Sequence, residues 1–383
     1  MNTSALHSAP DRSNRLPVTV VTGFLGAGKT TVLRRLLLDS GLRLAVLVNE
    51  FGEVGLDGEL IASCGFCPEE ELEGRLVELT NGCLCCTVQE EFLPTISRLL
   101  DRADRLDGIV VETSGLALPE PLIAAFGWPA IRTRTRVQGV IAVVDGEALA
   151  AGHVVGDLAA LERQRREDPS LDHLEAIEDL FSDQLAAADL VLISRADLLD
   201  AQQLQAVEAR LQPLLPRGTP TLTIAQGQID PSLVLGLGPA SPLRSDGPDQ
   251  AAGPHHGDGD HAQPHDHDTA HGDHHEHEHQ HVAIHSFVVR RRGVIDHRTL
   301  ERRLQQILES VPVLRLKGRL RLRDRRLPLQ IQGVGRRLDC WFEAADEPGS
   351  VAGAGSVEED LLELVVLGSA RDATGLEQAF STL

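Results

Sequence analysis

Residues 16–41 read LPVTVVTGFLGAGKTTVLRRLLLDSG, and few stretches restrict a fold as narrowly. The run LPVTVVTG is apolar, rich in β-branched residues and closed by glycine, the pattern of a strand buried on both faces of a parallel sheet. A glycine-rich turn follows and opens a helix whose leucines recur at helical spacing, ending at Gly41. Gly23 to Thr30 therefore fits G-x-x-x-x-G-K-[ST] in the strand–turn–helix setting that gives the motif its meaning. The glycines let successive backbone N–H groups converge on phosphate oxygens, and the helix N-terminus adds its positive end. The expected nucleotide contacts are Gly23, Gly26, Ala27, Gly28, Lys29, Thr30 and Thr31. Lys29 would stand as a compact charge between the β- and γ-phosphates, with the Thr30 hydroxyl on Mg²⁺. The competing explanation is a chance glycine turn before a helix. Lysine usage weighs against it: of 36 basic residues only Lys29 and Lys317 are lysines, so one of two stands where a guanidinium would not substitute.

The alternation continues. Strand patterns recur at 42–50, 75–80, 108–113, 137–145, 189–194 and 219–225, with helical patterns at 88–103, 119–126, 171–187 and 200–213. This predicts an α/β fold, a P-loop NTPase domain whose mostly parallel sheet is covered by helices. The alternation stops near residue 228. Residues 238–281 are rich in Gly, Pro, Asp and His, with almost no apolar side chains, and cannot bury enough surface to fold alone. Order resumes at VAIHSFVVRR (282–291), followed by a helix with Asp296 as its N-cap. Strand candidates follow at 313–318, 319–323, 327–335 and 337–343; a polar interruption at 343–358 precedes a last strand (361–368) and a last helix (373–382). That is a smaller α+β domain. The expected organisation is a disordered lead (1–15), a nucleotide domain (16–228), a His-rich flexible linker (229–281) and the C-terminal domain (282–383).

Charge supports the division. The formal net charge is −21, yet residues 283–342 hold 15 Arg/Lys against 5 acids, leaving the remainder near −31. Such an acidic balance argues against a nucleic-acid binder. No apolar run approaches membrane-spanning length, so no membrane association is expected. The N-terminal MNTSALHSAPDRSNRLP lacks the apolar middle of a signal peptide. A cytoplasmic location is expected, where clustered thiols more often bind metal than form disulfides.

A phosphate site needs a second magnesium ligand. The pattern GIVVETSG places Glu112 at a strand end, with Gly115 three residues on, where its N–H could sense a γ-phosphate. Lys29 and Glu112 are the candidate catalytic residues; the alternative for Glu112 is an ordinary solvated strand end or cap. For the base, Asp197 in DLVLISRADLLD can accept from both N1–H and the 2-amino group of guanine, donors that adenine lacks. The usual signature Asn-Lys-x-Asp reads Ser194-Arg195-Ala196-Asp197 here. The Arg195 stem can stack on a purine, but Ser194 lacks the amide that ties this loop to the P-loop. Asp197 could instead merely cap the next helix. Glu50 and Asp57 are switch-region candidates for magnesium or water contacts. No arginine finger or water-orienting glutamine stands out, so slow turnover is expected.

Five of six cysteines follow the spacing C64-x2-C67-x15-C83-x-C85-C86. Without Cys85 this is C-x2-C-x15-C-x2-C, within the range of a closed structural zinc site. Cys85 is a fifth thiol that such a site does not need, and a transfer site would use two or three thiolates and leave the shell open. Taken together, TGFLGAGKTT, NEFGEVGLDGEL, LTNGCLCCTV, VVETSGLALPEPL and DQLAAADLVL resemble the CobW-type metallochaperone GTPases, relatives of the nickel-handling UreG and HypB proteins. The resemblance runs from 17 to about 230, and LQIQGVGRRLDCWF resembles part of the family's C-terminal domain. The family's Cys-x-Cys-Cys motif falls on Cys83, Cys85 and Cys86. The resemblance implies that Mg-GTP brings this loop into a metal-competent shape. Co²⁺, or Zn²⁺ as the alternative cargo, is then passed on hydrolysis to the cobalt chelatase of cobalamin biosynthesis or another metal-receiving apoprotein. Cys64 and Cys67 are accessory ligands or a separate clip.

Twelve of sixteen histidines lie between His255 and His285, with seven acids among them. His265, His267, His274, His275, His277 and His279 are candidate accessory metal ligands in a stretch whose spacing defines no single geometry. It would suit a metal reservoir, or be a flexible linker of biased composition. A nucleotide-independent metal buffer built on it, with structural zinc at the cysteines, is the rival of another class. Finally, Arg315, Lys317, Arg319, Arg321, Arg323 and Arg325 alternate with leucines. A solvated sheet face or a docking surface for the acidic domain would each explain them.

Overall fold

The computed structural model describes residues 15–48, 76–78, 92–156, 162, 177–235, 283–342 and 359–383. The first unit is a seven-stranded sheet: β1 (Leu16–Thr22), β2 (Leu44–Val48), β3 (Leu76–Glu78), β4 (Gly108–Glu112), β5 (Thr135–Asp145), β6 (Leu190–Ser194) and β7 (Thr221–Thr223). The order is β3-β2-β4-β1-β5-β6-β7, and every pairing is parallel. β1 lies at the centre, fully buried, as its unbroken apolar pattern predicts.

Alternate residues of the strands feed opposite faces. Val21, Val110 and Ile141 meet α1 (Lys29–Asp39) through Val32, Leu33 and Leu36. Val20 and Val111 meet α2 (Leu93–Leu100) and α3 (Glu120–Phe126) through Ile96, Leu99, Leu122 and Phe126. Farther along, Ala142, Val144, Val191 and Ile193 are covered by α4 (Gly146–Ala150), α5 (Ile177–Ala186) and α6 (Ala201–Leu211). The packed unit runs past residue 228, where a linker was expected to begin. α7 (Pro231–Val234) is capped by Asp230, and Leu233, Val234 and Leu235 are buried in the α1 side of the core. Gln138 of β5 also donates to the Leu235 carbonyl, so apolar burial and a buried hydrogen bond together hold this last turn on the sheet.

The second unit comprises β8 (Ile284–Gly293), α8 (His297–Leu308), β9 (Val313–Arg321), β10 (Leu329–Val334), β11 (Arg337–Phe342), β12 (Asp360–Ser369) and α9 (Ala373–Ser381). Its sheet, β11-β10-β9-β12-β8, is antiparallel throughout. α8 and α9 pack Leu304, Leu308, Leu376 and Phe380 over Leu316, Ile331 and Leu364. Asp296 caps α8 by accepting from Thr299 N at 3.0 Å. The strand candidates 313–318 and 319–323 form one strand. Gly318 continues it, because a Cβ there would lie 2.1 Å from the Glu363 carbonyl of β12.

The alternating basic face is not uniformly solvated, and its members differ in what they meet. The strand ends at Arg321, and beyond it Arg325 stacks 4.3 Å from the Phe342 ring. Arg319 pairs with Glu363 at 3.2 Å. Arg315 is only 3% exposed and donates to Gln332 at 3.2 Å. Burial, with Arg136 nearby, lowers its pKa to about 10.

The two units meet along β5, β10 and β11. Val334 and Leu314 join the first unit's core, and Gly335, at φ +52°, lies where a Cβ would be 1.5 Å from the Asp189 carbonyl. Arg136 donates to Asp339 at 2.8 Å and lies 3.8 Å over the Trp341 ring. Arg337 Nε donates to Asp189 Oδ2 at 2.6 Å, an oxygen that also accepts from Val140 N at 2.9 Å. Burial pushes the Asp189 carboxyl up, and Arg337 opposes that shift. Removing one partner of a buried pair strands the other charge. Arg337→Met is expected to cost about 2 kcal/mol, discounted because the pair is partly exposed. The measurement is the urea unfolding midpoint, with partial recovery expected in the double variant Arg337→Met, Asp189→Asn.

Candidate functional site

β1 runs into the loop 23–28, which turns back over its own strand end before α1. Gly23, at φ +135°, passes so close to β5 that a Cβ would lie 2.1 Å from the Val143 carbonyl. Gly28, the residue before α1, is left-handed at φ 98°, and no side chain caps the helix. The first-turn N–H groups of α1 thus point at an anion-binding position. Lys29 is 6% exposed, and its Nζ donates to the Phe24 carbonyl at 3.0 Å. Thr30 Oγ1 donates to Glu112 Oε1 at 3.1 Å. Glu112 is 5% exposed at the end of β4, and the next residue, Thr113, bonds β1 through Val21 O and Thr22 Oγ1. A neutral hydroxyl and a carboxylate oxygen side by side are the hard donor set that suits Mg²⁺.

These residues line a cavity of about 250 Å³, with Gly26, Gly28, Thr31, Gly115 and Arg195. Gly115 presses on the loop, since a Cβ there would lie 2.6 Å from Leu25 N. Ala27 is buried beneath the loop.

On the other side the Ser194 hydroxyl lies 2.7 Å from the Ala27 carbonyl and 3.0 Å from the Val144 carbonyl. The tie to the P-loop, expected to be lost with the amide, is therefore made by a hydroxyl. Arg195, left-handed at φ 54°, donates to the Gly26 carbonyl at 3.1 Å and ion-pairs with Asp145. Asp197 stands exposed on the following 3-10 turn, outside the cavity lining. It does not cap α6; Asp200 does, accepting from Gln203 N at 2.8 Å in a capping box.

Two residues escaped sequence reasoning. Asp145 ends β5 as Glu112 ends β4, and that parallel was the available signal. It caps α4 by accepting from Glu147 N and Ala148 N at 3.1 Å. Gln184, 1% exposed on α5, donates to the carbonyls of Gly115 and Ala117 at 3.3 and 3.0 Å. Glu50, Asp57, Cys64, Cys67, Cys83, Cys85, Cys86, His265, His267, His274, His275, His277 and His279 lie outside the described residues. The sixth cysteine, Cys340 of β11, is half-buried, and burial with Glu301 and Asp339 nearby pushes its thiol up to about 12.

Fold and cradle together define a P-loop nucleotide-binding protein. Residues 17–220 match the CobW/HypB/UreG nucleotide-binding domain, and 284–383 match the cobalamin synthesis protein cobW C-terminal domain. The chain is 44% identical to the zinc chaperone CobW of Pseudomonas aeruginosa, over 96% of this chain and 91% of that protein. It is 39% identical to the zinc chaperone CobW of a Sinorhizobium species, over 90% and 93%. A crystal structure of Zn(II)-bound YjiA GTPase from E. coli aligns over 97% of this chain and 99% of its own, at 22% identity and a TM-score of 0.35. The chain belongs to the CobW/HypB/UreG family of P-loop GTPases.

Ser194→Ala should weaken nucleotide binding about fivefold, the worth of one buried hydrogen bond, as read by displacement of a fluorescent GDP. Cys340→Ser should leave metal stoichiometry unchanged, because a thiol held near 12 offers no thiolate at neutral pH; equilibrium dialysis checks it.

Proposed function

We propose that the protein is a GTP-dependent metallochaperone that grips a thiophilic dication at Cys83, Cys85 and Cys86 when Mg-GTP is bound and releases it to an apoprotein after hydrolysis. One observation carries this reading. β3 is parallel to β2, which is parallel to β4, and Glu78, Val48 and Glu112 stand in register across the three strands. Strands lie about 4.8 Å apart, so the chain leaves β3 roughly 10 Å from Glu112, on the nucleotide edge. Cys83 comes five residues later, and Glu50 two residues after β2 ends. The segment leading to the switch starts next to the candidate magnesium ligand, and the one leading to the thiols starts one strand farther out.

The roles follow. The P-loop amides and Lys29 hold the β- and γ-phosphates, and the Gly115 N–H meets the γ-phosphate. Arg195 offers its stem to the purine, and Asp197 takes the guanine donors. Magnesium, when bound at Thr30 and Glu112, supplies positive charge against the phosphates. Slow turnover without a partner is part of this reading. The His-rich stretch would raise the local metal concentration, with Cys64 and Cys67 accessory.

Zinc is the favoured cargo. Two relatives that cover 90% or more of the chain are named zinc chaperones, and thiolates hold Zn²⁺ more tightly than Co²⁺. Cobalt(II), handed to the cobalt chelatase of cobalamin biosynthesis, is the second reading, favoured by the match to the cobalamin synthesis protein cobW C-terminal domain. The cytoplasm, where thiols stay reduced, is the compartment that fits; no helix among the described residues is long and apolar enough to cross a membrane.

The test is a Zn²⁺ and Co²⁺ titration of reduced protein, without nucleotide, with Mg-GDP and with Mg-GTP. Mg-GTP should tighten one site by about tenfold or more, and single serine replacements at Cys83, Cys85 or Cys86 should abolish the gain. Deleting 250–281 should leave that site intact. Equal affinity in all arms would refute the gate, and loss of nearly all capacity on the deletion would point to a buffer. Zinc displacing cobalt in the GTP-loaded protein, with no kinetic preference for cobalt, supports the first cargo.

A further inference from the structure

We infer that Gln184 is a positioning residue that fixes the loop bearing Gly115 and thereby sets the preference for a nucleoside triphosphate over a diphosphate. The inference rests on the nucleotide reading above. Gln184 is 1% exposed on the inner face of α5. Its two hydrogen bonds both go to carbonyl oxygens, Gly115 O at 3.3 Å and Ala117 O at 3.0 Å. Only the NH₂ end of the amide can serve them, which fixes its orientation. Its Oε1 is then buried and accepts no hydrogen bond. A methionine of similar length would fill the space without leaving an oxygen unsatisfied, so packing alone does not account for an amide here.

The helix that carries Gln184 touches both walls of the cradle. One turn earlier, the Phe181 ring lies 5.8 Å from that of Phe24 in the P-loop. The loop it holds is already tight: Ala117 N donates to Ser114 O at 3.1 Å, and Gly115 abuts Leu25 N. With its carbonyls pinned from behind, the loop presents Gly115 to the cavity it shares with Lys29 and Thr30. The P-loop amides and Lys29 would hold the β-phosphate of GDP and GTP alike, and the Gly115 loop would add a contact that only the γ-phosphate can make. A loop released from Gln184 would therefore lose triphosphate affinity selectively.

The experiment uses the full chain with Gln184→Met, and with Gln184→Leu as the second variant should the first be recovered unfolded. Affinities for Mg-GDP and for a non-hydrolysable Mg-GTP analogue are measured by displacement of fluorescent GDP, alongside single-turnover GTP hydrolysis. GDP affinity should stay within about twofold, while the analogue weakens about tenfold, the worth of the two lost hydrogen bonds, and hydrolysis slows in step. A parallel loss for both nucleotides would assign Gln184 a merely structural role and overturn the inference, as would an unchanged ratio. Wild-type protein that binds neither nucleotide would instead sink the nucleotide reading itself.

Discussion

A parallel sheet delivers the carboxyl end of every strand to one edge, and the site depends on that geometric fact. β1 ends in the phosphate loop, β4 in Glu112, β5 in Asp145 and β6 in Ser194 and Arg195. Short polar side chains then close the distance between ends: Thr30 to Glu112, Ser194 to the Ala27 carbonyl, Arg195 to the Gly26 carbonyl. The strands supply rigidity, since their ends are fixed by apolar layers on both faces, and the loops supply chemistry.

The second unit is fastened to the opposite region of the same strands. Arg136 and Asp189, near the starts of β5 and β6, take Asp339 and Arg337 across the junction. Both pairs are partly desolvated and were invisible in sequence, because each joins residues about 150 to 200 positions apart. The overall charge asymmetry of the chain points to attraction between the units, but the contacts are more local than that. One arginine belongs to each unit, and Arg315, from the basic stretch, is buried beside another arginine rather than an acid.

Legibility followed the reach of the physical cause. The β1–α1 unit, the alternating strands and the Asp296 cap are local patterns, and each was readable from a dozen residues or fewer. The short α7 was not, since Leu233 to Leu235 follow no helical repeat and are buried by the sheet beneath a turn that Asp230 caps. The candidates 313–318 and 319–323 are one strand, and Gly318 between them serves a neighbouring backbone. At the site, Lys29, Thr30, Glu112 and Gly115 could be proposed from a motif. Ser194 was misjudged because residue type alone says nothing of where a hydroxyl can reach. Gln184 lies within DQLAAADLVL, one of the stretches that carry the family resemblance, but nothing in that stretch names its partner, and its importance arises from the loop folded against it.

β5 is eleven residues long, twice the length of β4 or β6. From Arg136 to Asp145 it extends roughly 30 Å at the rise of an extended chain. The junction with the second unit and the P-loop cavity are thus held apart by a stiff strut. A molecule seated only at that junction would leave the cavity open, and one that reached both ends would have to be at least that broad.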